Sequence, residues 1–248
     1  TLKLKMIKMK VTLAFLGLFL IVCSNYAQSY VDASGADRFA STRALDDFNN
    51  LKSGFEETYD LPEDIRGSMY FDSNFKKSIV LLLGAPIQEQ IFLRYNAFKD
   101  EIEIGKSMEQ LNTTEVLTKR ISVEVQIGDY LYIPFALDAK ENEKLSYLIQ
   151  IFSNKTHQLF LKKSKYFVDE KPAPSGIGGF LPARFEDKIT IYYKSNKQEK
   201  PVEIKANKKS ILNLFPNQEE ELKKYLKKED IKVKEVEDLI LIFQKFGS

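Results

Sequence analysis

One imidazole, His157, serves the whole chain, so any nucleophilic or zinc mechanism that needs histidine must pass through it. It lacks the companions for that work. Neither a GxSxG elbow nor an HExxH helix occurs, and the lone thiol, Cys23, falls in a segment that reads as removable. Its spacing puts His157 on one strand side with Leu159 and Leu161, beside a turn, where a structural histidine is expected. Carboxylates offer the other chemistry, because two acids about 5 to 9 Å apart suffice for glycoside hydrolysis. Asp100, Glu101 and Glu103 are the densest acids near predicted strands. Glu101 and Glu103 take the polar side of an alternating strand, however, which predicts an exposed face rather than a catalytic pair. Nothing matches an EF-hand, and the glycines at Gly176, Gly178 and Gly179 are followed by no Lys-Ser or Lys-Thr that would make a phosphate cradle. Asn112-Thr113-Thr114 and Asn154-Lys155-Thr156 match the glycosylation sequon, a pattern short enough to arise by chance. The inventory predicts no catalytic residue, no cofactor and no metal site. What remains is a candidate contact surface, the aromatic pair Tyr130 and Tyr132.

Those two tyrosines depend on a hairpin. Ile121 to Ile127 alternates apolar and polar without a break, Gly128-Asp129 turns the chain, and Tyr130 to Phe135 returns it. Leu131, Ile133 and Phe135 then share one face and the tyrosines the other, so either a second layer covers the tyrosines or they offer an exposed surface. Pro134 ends that strand or places it at an edge. Three further hairpins follow the same pattern: Gln90 to Tyr95 with Asp100 to Ile104, Leu145 to Phe152 with Thr156 to Lys163, and Lys188 to Lys194 with Val202 to Lys205. Lys171 to Gly179, rich in proline and glycine, reads as a surface loop. After Lys205 the period changes to about 3.6. Asn207 is placed to cap Lys208 to Phe215, Pro216 breaks that helix, and Asn217 is placed to cap a second with Leu222, Tyr225 and Leu226 as its apolar stripe. A last helix, Lys234 to Phe246, carries Val236, Leu239, Ile240, Ile242 and Phe243, and the intervening lysines form its solvated side.

Apolar residues at 44% and charged residues at 29% predict a packed core. Lys and Arg number 37 against 35 Asp and Glu. Lys3, Lys5, Lys8 and Lys10 stand in the first 27 residues without an acid, and setting them aside leaves 33 basic residues against 35 acidic. Nothing in that balance draws the chain to nucleic acid. Those residues read as a secretory signal: a lysine-bearing start, an apolar run from Val11 to Cys23 too short to span a bilayer, and a polar stretch ending in Ala27. Leu20-Ile21-Val22-Cys23 faintly resembles a lipobox, but Val22 is large for the position before a lipidated cysteine, so cleavage after Ala27 is favoured. From Gln28 to Asp64 acids dominate. That stretch is a loose leader or one helix capped near Ser41 or Thr42, with Ala44, Phe48, Leu51 and Phe55 as its stripe.

Gly67-Ser68-Met69-Tyr70-Phe71, Leu93-Arg94-Tyr95-Asn96, Lys99-Asp100-Glu101, Ala183-Arg184-Phe185 and Tyr192-Tyr193, with the closing helices, resemble an uncharacterised family of exported envelope proteins of Bacteroidota-type Gram-negative bacteria. The resemblance runs from about Arg66 to the end, with Met69 where the family pattern has proline. It implies export and a β-plus-helical layout and supplies no activity. The expected protein is thus α+β: a signal peptide (1–27), an acidic leader (28–65), a mainly antiparallel β core (66–205), sandwich or partly open barrel, and a packed C-terminal helical hairpin (206–248). The expected function is that of a non-enzymatic interaction protein in the periplasm or at the outer membrane, an accessory subunit of an envelope complex with a protein partner. The alternative is a carrier of a small ligand or lipid in a barrel cavity, and peripheral membrane association is compatible with both.

Overall fold

The computed structural model describes residues 35–54, 61–62, 64–137, 144–172 and 179–247. The signal-like segment with Cys23 and Ala27, Phe55, and residues 173–178 of the expected loop lie outside them. The chain divides into two units, Thr1–Arg43 and Ala44–Ser248. The first enters this description only through the opening turns of helix α1 (Gly35–Asn49), which starts well before Ser41 and so leaves the expected cap inside the helix. In the second unit Phe48 and Leu51 are buried, while Ala44 is only half-buried.

The strands, in chain order, are β1 (Lys52–Gly54), β2 (Lys76–Leu82), β3 (Ala85–Asn96), β4 (Glu101–Gly105), β5 (Glu115–Leu117), β6 (Val123–Ile127), β7 (Tyr130–Ala136), β8 (Leu145–Ser153) and β9 (His157–Val168). After these come β10 (Lys171–Pro172), β11 (Phe180–Leu181), β12 (Arg184–Ser195) and β13 (Val202–Ile204). Eleven of them pair antiparallel in one open sheet, ordered β1-β5-β4-β3-β2-β6-β7-β8-β9-β12-β13, and β10 pairs with β11 at the base of the expected loop. All four hairpins expected from alternation are present. A fifth, β2 with β3, turns through Leu83 and Gly84, both left-handed at φ 53° and 80°. Such a two-residue turn demands positive φ at both places, and a leucine in the first of them hides the signal.

Strand β7 corrects the sequence reading of its two faces. Val125 and Ile127 are core residues paired across the hairpin with Tyr132 and Tyr130, so the tyrosines point inward with them. Leu131, Ile133 and Phe135 take the outer face. Pro134 does not end the strand, since Ile133 to Ala136 continue to pair with β8. Pairing with β6 stops at Val125 and Tyr132. In a two-residue hairpin the residues flanking the turn exchange both backbone bonds, so Tyr130, Tyr132 and Pro134 direct their nitrogens toward β6. Proline therefore sits where that side has no partner strand, and no ladder bond is lost.

The sheet coils until the β3–β4 turn reaches β9, where the Lys165 N–H donates to the Ala97 carbonyl at 3.0 Å. Inward-facing side chains thus meet in one cluster that includes Leu93, Ile102, Val125, Ile149 and Leu159. C-terminal helices join that cluster. Helix α2 (Lys208–Leu212) is capped by Asn207, whose side-chain oxygen accepts from the Ser210 N–H at 2.9 Å. It ends at Leu212 rather than Phe215. Asn217 does not cap the next helix, because a 3-10 turn, Pro216–Gln218, engulfs it before α3 (Glu219–Lys228) begins. Helix α4 (Val236–Phe246) buries Leu239, Ile242, Phe243 and Phe246. Phe215, between α2 and the 3-10 turn, and Phe243 of α4 bring their rings to 5.5 and 5.7 Å from His157, so the C-terminal segment packs against the start of β9. The other end, further along β9, holds the candidate site.

Candidate functional site

Cross-strand register places Arg94 of β3 opposite Glu103 of β4, on the outer face. Alternation predicts that outward position, and yet both side chains are buried, 5% and 2% exposed. This corrects the expectation of an exposed Glu103. The segment from Gly67 to Phe75 lies over the outer face, and Arg94 holds it there: Nη1 donates to the Ser73 carbonyl at 2.8 Å, while the rings of Tyr70 and Phe75 flank the guanidinium at 4.0 and 4.3 Å. Glu103 accepts from Arg94 Nε at 2.9 Å and Nη2 at 2.5 Å, from Asn96 Nδ2 at 2.8 Å and from the Tyr70 hydroxyl at 3.0 Å. Burial first, and then the neighbouring Glu103 charge, push the Tyr70 hydroxyl far above its ordinary range, so it remains a donor. A small cavity of about 190 Å³ opens beside this network, lined in part by Met69, Tyr70, Asn96, Phe98 and Asn112. Arg94, Asn96 and Tyr70 together engage both oxygens of Glu103, which fixes the carboxylate in this network.

Asp100 is also consumed. Its Oδ1 accepts from the Tyr95 hydroxyl at 2.8 Å and the Tyr147 N–H at 3.2 Å, and Lys119 pairs with its Oδ2 at 3.3 Å. It therefore staples the β3–β4 turn to β8, and Asp100 and Glu103 belong to separate hydrogen-bond networks. Glu101 is half-buried, again against the exposed expectation. His157 Nδ1 meets the Tyr193 hydroxyl at 2.7 Å, and burial lowers its pKa. Asn154, the acceptor of the second sequon, donates to the Gly247 carbonyl at 2.9 Å and accepts from the N–H groups of Thr156 and His157, an ordinary turn role. No group of three or more metal-ligating side chains occurs among the described residues. None of their helices is long and apolar enough to cross a membrane.

The candidate tyrosines divide at the open end of the concave face. Tyr132 is 7% exposed and tilts against Tyr95 at 5.1 Å, so it is largely covered, yet it lines the same cleft as Tyr130. Tyr130 is 44% exposed. It forms one wall of a cleft of about 240 Å³, with Phe71, Asn74 and Ile127 on other sides and Lys76 and Lys163 reaching in. Lys163 stands at the end of the inward row that begins with Leu159 and Leu161, and its ammonium lies 5.0 Å from the Tyr130 ring and 5.6 Å from that of Phe71. Burial, then repulsion from Lys76, lowers its pKa. Lys76 is paired with Asp72 at 2.6 Å, whereas no carboxylate among the described residues pairs with Lys163. The sequence signal for this site was a lysine interrupting an apolar row, legible only once the register of β9 is known. A second groove, along α3, is lined by Lys208, Lys223, Lys224 and Lys227, and Lys223 there is spent on Glu219 and Glu220.

Several of the short motifs quoted above border the network and the cleft, whereas Tyr193 of Tyr192-Tyr193 packs on His157 and Phe243 instead. Tyr70, Arg94 and Asn96 build the buried network, Phe71 and Tyr95 border the cleft, and Ala183-Arg184-Phe185 receives Arg66 through backbone bonds of 2.9 Å on both sides. No family model, no curated protein and no solved structure matches the chain, so the reading of the site rests on its own geometry.

Proposed function

We propose that this is a non-enzymatic interaction protein, exported to the cell envelope, which engages a protein partner through the cleft at Tyr130 and Lys163. The observation that carries the reading is the contrast between its ionisable groups. Arg94 and Glu103 are buried, Asp100 is half-buried, and all three are engaged by one another or by neighbouring donors, whereas Lys163 is a half-buried cation between aromatic walls that pairs with no carboxylate among the described residues. A group held like that is arranged to meet something from outside. Export and the envelope location rest on the signal-like first 27 residues and the family resemblance.

Two finer points of architecture belong to the same proposal. The sheet is a partly open barrel, supported by the Lys165-to-Ala97 bond and by the Tyr95 hydroxyl donating to the Lys163 carbonyl at 3.2 Å. Helices α3 and α4 form a hairpin, supported by the Tyr225 and Phe246 rings at 5.4 Å and by Lys245 over Tyr225 at 4.2 Å. A carrier with a cavity inside the barrel is the weaker reading, since the inward residues pack on one another in a single cluster.

The test is affinity isolation of the tagged protein from cell envelopes, beside its Tyr130→Ala variant, with mass spectrometry of what co-purifies. A defined protein set retained by the parent and lost by the variant supports the proposal. A protein that returns alone, or a set indifferent to the variant, contradicts it.

A further inference from the structure

We propose that the cleft at the open end of the sheet is a receptor for a single carboxylate carried on a flat apolar body, with Lys163 as its counter-ion and the rings of Tyr130 and Phe71 as its walls. This rests on the interaction reading and names the chemistry the cleft recognises.

Charge accounting sets the valence. Among the described residues four ionic groups border the cleft: Lys76, Lys163, Asp72 and Arg94. Arg94 is neutralised by Glu103, and Asp72 by Lys76 at 2.6 Å together with the Asn74 N–H at 3.1 Å. One positive charge remains, on Lys163. A monoanion balances it, whereas a phosphate dianion would bring one negative charge too many into a half-buried space. Lys163 is already partly stripped of water and faces the like charge of Lys76, so an incoming anion restores what the site lacks at little further desolvation cost.

Shape and surface set the body that carries the charge. A space of about 240 Å³ is smaller than the roughly 300 to 1,000 Å³ of drug-sized ligand pockets and suits one ring or one side chain. Tyr130, Tyr132, Tyr95, Phe71 and Ile127 line it beside its polar groups, so a planar apolar group stacks on the rings while its carboxylate meets the ammonium. Asn74 supplies a side-chain amide for the second carboxylate oxygen. Two sources fit that chemistry: the aromatic C-terminal residue of a partner chain and a free aromatic acid.

Titration of the purified full chain with benzoate, followed by calorimetry and by the NMR signals of Tyr130 and Lys163, tests the assignment. Benzoate should bind saturably and shift both residues, while benzyl alcohol, its uncharged counterpart, should bind at least about tenfold more weakly, the worth of a charge-assisted hydrogen bond. Lys163→Met should lose about the same factor with its thermal unfolding intact, Lys163→Arg should retain binding, and Lys224→Met on the helical groove should change nothing. N-acetylphenylalanine binding tighter than benzoate assigns the site to a peptide terminus, and the reverse assigns it to a free acid. Equal binding of benzoate and benzyl alcohol, absence of saturable binding, or a Lys163→Met protein that folds and binds normally would each overturn the proposal. If benzoate fails while the Tyr130→Ala variant still loses its envelope partners, only the ligand assignment falls.

Discussion

Glu103→Leu should be among the most damaging single substitutions in this protein, because it strands a guanidinium that is only 5% exposed. Arg94 would lose both its charge partner and two of its hydrogen bonds, and the Tyr70 hydroxyl and Asn96 amide would lose their acceptor. Breaking a buried pair from one side costs about 3–5 kcal/mol. Against a total stability of about 5–15 kcal/mol for a folded domain, that is a third or more of the margin in many cases. Arg94→Met should cost a similar amount, since it leaves a carboxylate 2% exposed without its cation. The double variant removes both charges together. It should cost no more than the worse single variant, even though the Ser73 and Leu111 carbonyls lose a donor, and the coupling between the sites should be at least ~2 kcal/mol. Urea unfolding followed by far-UV circular dichroism and tyrosine fluorescence measures all four proteins, the chain having no tryptophan. Single variants that each cost under ~1 kcal/mol, with an additive double, would refute the argument that this pair fastens the Gly67–Phe75 segment to the sheet.

Tyr147→Phe should leave stability unchanged or raise it by about 1 kcal/mol in the same assay, because the Tyr147 hydroxyl is buried with no hydrogen-bond partner among the described residues. A clear loss would mean that the hydroxyl is bonded. His157 has a lowered pKa, so the unfolded chain binds the proton more readily; its contribution is whole above about pH 6.5 and is lost as pH falls through the lower folded value. His157→Gln should flatten that part of the stability-against-pH curve, and an unchanged slope would contradict the assignment. Deleting Asn207 to Ser248 uncovers His157, Tyr193 and the Phe152 side of the core, so the truncated chain should aggregate and bind an apolar dye. A soluble truncation with a cooperative melt would show that the helices are a separable module.

Much of the fold was legible because alternation is a local signal. Val123 to Ile127 and Tyr130 to Phe135 announce strands and their turn without knowledge of anything else in the chain. Which face turns inward was not legible in β7, since Leu131, Ile133 and Phe135 look like the better core; the decision came from Val125 and Ile127 on the partner strand. Glu103 was misjudged for a related reason. Alternation told correctly that it leaves the main core, but whether an outer face meets water depends on a distant segment, and Gly67–Phe75 carries little periodic signal of its own. Asn207 was recognised because a cap is local, whereas Asn217 lost that role to the Pro216 turn. Lys163 could not be singled out beforehand, since its meaning comes from Tyr130 and Phe71, neither of which is near it in sequence.

The most direct test of the account places a photoreactive probe in the cleft of the intact protein. With Tyr130→benzoylphenylalanine, irradiation of cell envelopes should give a discrete cross-linked adduct with another protein, and added benzoate or Lys163→Met should suppress it. The same probe at Leu241, exposed on α4 and away from the cleft, should give none of that adduct. No adduct at position 130, or one that benzoate and Lys163→Met both leave intact, would contradict the claim that this cleft is where the partner is held.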